Sequence, residues 1–155
     1  MSLPPALAYK RATFAAQLPA AHRYSPSHCW LCDMGAGRWR VGYTKFALRM
    51  LGELVDVQFE RAAGDAVQPG DVLGAVEGFK ALSDLYCVGT GTFAGGNPAL
   101  RDDLSTLGRD PHGAGWLYEF DGQPDPRCLT VEGYRDLLDA TIDRMLAKQQ
   151  AEENG

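Results

Sequence analysis

Apolar positions recur with a period of two over most of the central chain, in short runs separated by glycine and proline. That alternation predicts β-strands over residues 28–34 and 38–43, joined at Gly35-Ala36-Gly37 as a hairpin. Thr44 can cap a short helix to Leu51, with Phe46, Met50 and Leu51 near one face and Gly52 ending it. Residues 53–59 alternate again, with apolar Leu54, Val55, Val57 and Phe59. Val67 begins a short strand before the Pro69-Gly70 turn. Residues 72–79 and 84–88 read as two strands on either side of Lys80. Gly89-Thr90-Gly91 breaks the second, and 92–94 resumes it. Asn97-Pro98 opens a helical turn through Leu104. The Asp110-Pro111-His112-Gly113 loop predicts an exposed His112, and 115–120 is a last strand. After a Pro/Gly-rich connector, Thr130 caps an amphipathic helix to about Gln149, in which Tyr134, Leu137, Leu138, Thr141, Ile142, Met145 and Leu146 recur at helical spacing. Residues 151–155 are expected to fray.

Short strands with turns every eight to twelve residues predict a compact β-sandwich or barrel with helices around it. The organisation expected is a lead-in over 1–24, irregular or partly helical, a central domain over 25–120, and a connector and helix over 121–155 packing on that domain. At 155 residues the chain is long enough for one real core. Hydrophobic residues make up 45% and charged residues 23%, ordinary for a globular chain. A net charge of −5 argues against nucleic acid, which needs a basic footprint. No run approaches the apolar length of a membrane helix, and the first residues lack the ordered regions of a signal peptide. A cytoplasmic monomer is the expectation.

The cysteines are Cys29, Cys32, Cys87 and Cys128. Cys29-Trp30-Leu31-Cys32 has C-x-x-C spacing, but it falls in a strand-like run, where residues three apart point to opposite faces. A metal site would want a second pair, and Cys87 and Cys128 are far apart in sequence. Incidental strand thiols are the reading. His28 and His112 have no nucleophile at a spacing that suggests a triad.

Lys80 stands alone in Val76-Glu77-Gly78-Phe79-Lys80-Ala81-Leu82-Ser83-Asp84-Leu85-Tyr86, among small and apolar residues between two strands. That is the pattern of a residue presented on a turn. With no base or nucleophile nearby, the reading is a lysine offered to another protein for modification. A biotin-accepting lysine usually has methionine on each side, and here the neighbours are Phe79 and Ala81.

Several motifs follow one another in order: Ser27-His28-Cys29-Trp30, Val41-Gly42-Tyr43-Thr44, Leu51-Gly52-Glu53-Leu54-Val55, Gly74-Ala75-Val76-Glu77-Gly78-Phe79-Lys80-Ala81, Ser83-Asp84-Leu85-Tyr86, Asn97-Pro98-Ala99-Leu100, and Asp110-Pro111-His112-Gly113-Ala114-Gly115-Trp116-Leu117. This set resembles the H protein of the glycine cleavage system, over roughly residues 22–120 with a match to its terminal helix. The resemblance implies a mostly β, lipoyl-domain-type barrel-sandwich hybrid of two antiparallel sheets, with short helices and a C-terminal amphipathic helix.

It further implies lipoic acid bound as an amide to Lys80, so that the protein is a carrier and not itself an enzyme. Glu77 and Gly91, three before and eleven after the lysine, match positions that serve the lipoylating enzyme or shape the tip. The arm would carry an aminomethyl group between glycine decarboxylase, aminomethyltransferase and dihydrolipoamide dehydrogenase. When loaded it would fold into a surface cleft, lined here by Ser27, Cys29, Met50 and Asp84. The family has a glutamate at the position of Cys29 and a histidine at that of Met50. Both replacements are soft and poor partners for an ammonium group. Two alternatives therefore stand: a divergent carrier of a sulfur intermediate for a heterodisulfide-reductase-like system, or a protein that relays lipoyl groups to other acceptors.

Overall fold

A computed structural model describes residues 5–154. The chain runs β1 (Ala6–Arg11), β2 (Phe14–Pro19), β3 (Arg23–Tyr24), β4 (Cys29–Gly35), β5 (Arg38–Tyr43), α1 (Lys45–Leu51), β6 (Leu54–Phe59), β7 (Ala66–Val67), β8 (Val72–Gly78), β9 (Leu82–Tyr86), β10 (Gly89–Gly96), a 3-10 turn (Pro98–Arg101), α2 (Thr106–Arg109), β11 (Tyr118–Pro124) and α3 (Val131–Asn154). β3, β4, β5, β11, β10 and β7 lie in that order in a six-stranded antiparallel sheet, and β6, β8 and β9 form a three-stranded one.

The first core lies between these sheets. Leu31 and Val41 of one meet Leu73, Val76 and Leu85 of the other, with Phe93, Tyr118 and Phe120 beside them, all buried. Each such side chain removed from water is worth about 1.5–3 kcal/mol before entropy is counted. A second core lies on the other face of β4. There Tyr24, Trp30 and Phe46 meet Val131, Tyr134, Leu138 and Ile142 of α3. The rings of Tyr24 and Tyr134 stack at 4.7 Å.

β4 is thus buried on both faces near its start. Cys29 and Leu31 face the first core, and Trp30 and Cys32 the second. The period-two reading of the C-x-x-C spacing is met, since its two thiols sit on opposite faces of the strand.

The lead-in departs from expectation. Residues 6–19 form an antiparallel hairpin, β1 paired with β2 from Ala6↔Pro19 to Arg11↔Phe14, in place of an irregular or partly helical segment. Phe14, Ala16 and Leu18 are buried and alternate with exposed Ala15 and Gln17. That two-residue period was present in the sequence, obscured by the alanine-rich composition. β3 then joins the six-stranded sheet, so the sheet begins before residue 25. At the other end β11 continues to Pro124 and pairs with Gly89–Thr92, so the strand extends into the expected connector.

Smaller elements also shift. Thr44 and Thr130 cap α1 and α3 as predicted, accepting from the backbone N–H of Ala47 and Gly133. The break between β9 and β10 falls at Cys87-Val88, and α2 adds a helical turn beyond the one predicted. α3 remains helical through Asn154.

Candidate functional site

Lys80 stands in the link between β8 and β9, residues 79–81, which the Gly78 N–H closes by donating to the Ala81 carbonyl at 2.9 Å. The tip is pinned to the chain leaving α1. The Phe79 N–H donates to the Glu53 carbonyl at 3.0 Å and the Lys80 N–H to the Leu51 carbonyl at 2.9 Å. These carbonyls are at or just past the end of a helix, where acceptors have no intrahelical partner. Gly52, at φ 77°, turns the chain there, and a Cβ on it would stand 2.9 Å from Lys80 Cγ.

The Lys80 backbone is therefore fixed while its side chain is exposed. Nζ donates to the Arg49 carbonyl at 3.2 Å. No carboxylate lies within ion-pair distance of it among the described residues. The neighbours are unusual for a surface turn: Phe79 is 77% exposed and Leu82 is 74% exposed.

Glu77 pairs across the ladders with both Leu82 and Asp56, and Asp84 pairs with Ala75. Residues two apart share a face, so Asp56, Glu77 and Asp84 present three carboxylates on the outer face of this sheet beside the tip. Gly91 is elsewhere. It lies in β10 of the six-stranded sheet, opposite Val67 and Gly122, and does not belong to the lysine tip. A Cβ on it would enter the Asp121 carbonyl, so glycine is needed there for the strands to approach.

The expected cleft residues are spread over different environments. Ser27 is exposed, its hydroxyl 2.8 Å from that of Ser25. Met50 is 39% exposed on α1, and Asp84 is exposed on β9. Cys29 does not line an open surface: it is 5% exposed and packed in the first core. Burial pushes its thiol up to about 12, so it stays protonated at neutral pH and is a poor nucleophile. Cys128, near enough to raise it further, is itself pushed up to about 11 by burial.

The histidines serve the second core. His28 Nδ1 lies 2.9 Å from the Tyr134 hydroxyl, which also meets Thr44 Oγ1 at 2.8 Å. His112 is not the exposed loop residue expected. It packs against Trp30 and His22, whose rings lie 5.9 Å and 6.0 Å from its own. The Trp30 indole N–H reaches the Pro111 carbonyl at 2.9 Å and draws the loop inward. Burial lowers His28 and His112 to about 4, so both rings are neutral near pH 7.

A family model described as "Glycine cleavage H-protein" matches residues 22–136. The glycine cleavage system H protein of Corynebacterium aurimucosum is 37% identical over 123 residues, 77% of this chain and 94% of that protein. That of Kocuria rhizophila is 35% identical over 126 residues, 79% of this chain and 98% of that protein. The crystal structure of a glycine cleavage system H protein from Mycobacterium marinum superposes with a TM-score of 0.68 at 35% identity, covering 76% of this chain and 95% of that one. The match takes in both sheets and the lysine hairpin, and the chain belongs to the glycine cleavage H-protein family.

Proposed function

We propose that this protein is the lipoyl carrier of a glycine cleavage system, with lipoic acid attached as an amide to Lys80. The observation that carries the reading is the exposed Lys80 side chain on a hairpin tip whose backbone is bound to the end of α1. Attachment needs an accessible amine on a fixed backbone. Nζ has one exposed carbonyl contact to give up and no carboxylate to lose. The site therefore fits the group. When bound, the lipoyl ring supplies disulfide reduction and group transfer.

The chain's own residues hold and present the arm. Glu77, Asp84 and Asp56 form an acidic face suited to a basic groove on the lipoylating enzyme. Phe79 and Leu82 flank the lysine and supply apolar contact to whichever partner covers the tip. Gly91 acts at a distance, by allowing the close packing of β10 on β11. The partners of the reading are glycine decarboxylase, aminomethyltransferase and dihydrolipoamide dehydrogenase, met by a cytoplasmic monomer that catalyses nothing alone. No helix among the described residues is long and apolar enough to cross a membrane.

Ser27, Met50 and Asp84 remain as exposed groups for the loaded arm, whereas Cys29 is buried in the first core. The burial of Cys29 withdraws one of the two residues on which a sulfur-carrying alternative rests. An aminomethyl load is accordingly favoured.

The test pairs mass spectrometry with exchange. A lipoylating enzyme should add one lipoyl mass to the wild type, mapped to Lys80, and none to Lys80→Arg. The lipoylated protein should then support glycine–bicarbonate exchange with a glycine decarboxylase. Labelling of Lys80→Arg would move the attachment site, and a labelled protein that is silent in exchange with its own organism's decarboxylase would remove the glycine cleavage role.

A further inference from the structure

A cavity of about 960 Å³ opens between the edge strand β6, the end of β10 and residues 97–105. Its volume lies in the range of small-molecule sites. The floor is the margin of the first core: Phe93 and Leu100 are buried there, and Val57, Phe59 and Leu104 are half-buried against that core. The Phe59 and Phe93 rings lie 5.9 Å apart. Gly96 makes room for them, since a Cβ on it would stand 2.4 Å from the Phe59 ring. Neither Lys80 nor any of Ser27, Cys29, Met50 and Asp84 lines this cavity.

Charges of both signs line the cavity, and they are held apart. Arg61 is half-buried and Arg101 is exposed, and neither forms an ion pair among the described residues. Asp102 borders the same cavity and is also without an ion pair among the described residues. Of the other two carboxylates, Asp103 is taken by Arg109 at 2.6 Å, and Asp56 accepts from the Gln58 side-chain amide at 2.9 Å. A half-buried guanidinium without a partner is costly. Opposite charges that share a cavity beyond ion-pair distance leave room for a ligand that bears both.

We propose that this cavity binds a free α-amino acid with a large apolar side chain, as the zwitterion. Arg61 and Arg101 take the carboxylate, whose two oxygens suit the forked donors of a guanidinium. Asp102 accepts from the ammonium group, with Asp56 beside it offering further acceptor capacity. The side chain lies on Val57, Phe59 and Leu104, where removal from water and contact with the Phe59 ring favour it. The two charged ends set the class of ligand. A simple carboxylic acid leaves Asp102 unmet, and a simple amine leaves both arginines unmet. The site stands apart from Lys80, and the inference does not depend on what that lysine carries.

L-Phenylalanine is the probe, titrated into the full chain while the methyl resonances of Val57, Leu100 and Leu104 are followed by NMR. They should shift and saturate with a Kd on the order of 100 μM. 3-Phenylpropionate lacks the ammonium group and phenethylamine lacks the carboxylate, so each should bind about tenfold more weakly or worse. Arg61→Gln and Asp102→Asn should each weaken phenylalanine about tenfold. Their melting temperatures should match that of the wild type, because neither side chain has an ion-pair partner in the fold to lose. The analogue series uses the wild type, so it decides the matter even where a variant fails to fold. Methyl resonances that stay in place up to the solubility limit of phenylalanine would overturn the site. Binding of 3-phenylpropionate as tight as that of phenylalanine would overturn the zwitterion assignment.

Discussion

At the scale of single residues, position in the fold decides what a side chain can do. Lys80 was legible from its surroundings in the sequence: one lysine amid small and apolar neighbours between strands is a presented residue. What fixes its backbone was not legible, because the Leu51 and Glu53 carbonyls come from another element. Gly52 links the two. Gly52→Ala forces a side chain to φ 77° and against Lys80 Cγ. It should cost about 1–3 kcal/mol and lower hydrogen-exchange protection at the amides of Phe79 and Lys80, read by mass spectrometry. Cys29 is the converse case. Its motif position matches a family cleft residue, yet it is buried beneath Ser25 and Ser27, its N–H donating to Ser25 Oγ at 3.0 Å. In the native protein Cys29 should resist iodoacetamide at pH 8, while partly exposed Cys32 is alkylated first. Peptide mapping of the labelled thiols checks this, and faster labelling of Cys29 would place it on an open cleft.

Among the elements, the N-terminal hairpin and the distal part of α3 stand apart, because residues 1–21 and 137–155 lie outside the family match. The two additions pack on each other. The Tyr9 hydroxyl donates to Asp139 at 2.8 Å, and Arg11 forks onto Asp143 at 2.9 and 2.8 Å. The hairpin also reaches α1: the Phe14 ring meets Phe46 edge-on at 5.6 Å, with Arg49 on it as well. Phe14→Ala should destabilise the protein by about 3 kcal/mol, seen as a lower urea midpoint, and should loosen α1. The exposed Arg11 pairs add little by comparison. The hairpin was hard to foresee because alanine sits on both faces of its strands: Ala16 is buried among Tyr9, Phe14 and Leu18, while Ala6, Ala8 and Ala15 are exposed. Its partner helix lies more than a hundred residues away, so the burial that makes this alternation a strand is a tertiary fact.

For the whole molecule, neutral half-buried histidines tie stability to pH. The folded state holds His28 and His112 neutral down to about 4, while in the unfolded chain they titrate near the usual 6.5. His22 is lowered too, by burial. Among the described residues, Nε2 of His22 and of His112 has no hydrogen-bond partner. A depressed pKa means the unfolded state binds the proton more readily, so this stability is fully present above about pH 6.5 and is lost as pH falls toward 4. The loss is on the order of 1–3 kcal/mol for each of His28 and His112. The melting temperature should fall through that window, and His112→Phe should flatten the fall. An unchanged slope in that variant would mean the ring titrates normally in the fold. The sequence by itself determined the strand pattern of the central domain, the caps at Thr44 and Thr130, the presented lysine and the family, because these rest on local periodicity, local hydrogen bonding and ordered motifs. The tertiary structure alone decided that Cys29 is enclosed, that His112 turns inward and that Gly91 serves the opposite sheet. Each of those depends on which distant elements pack together, and that is settled by burial across the fold rather than by spacing along the chain.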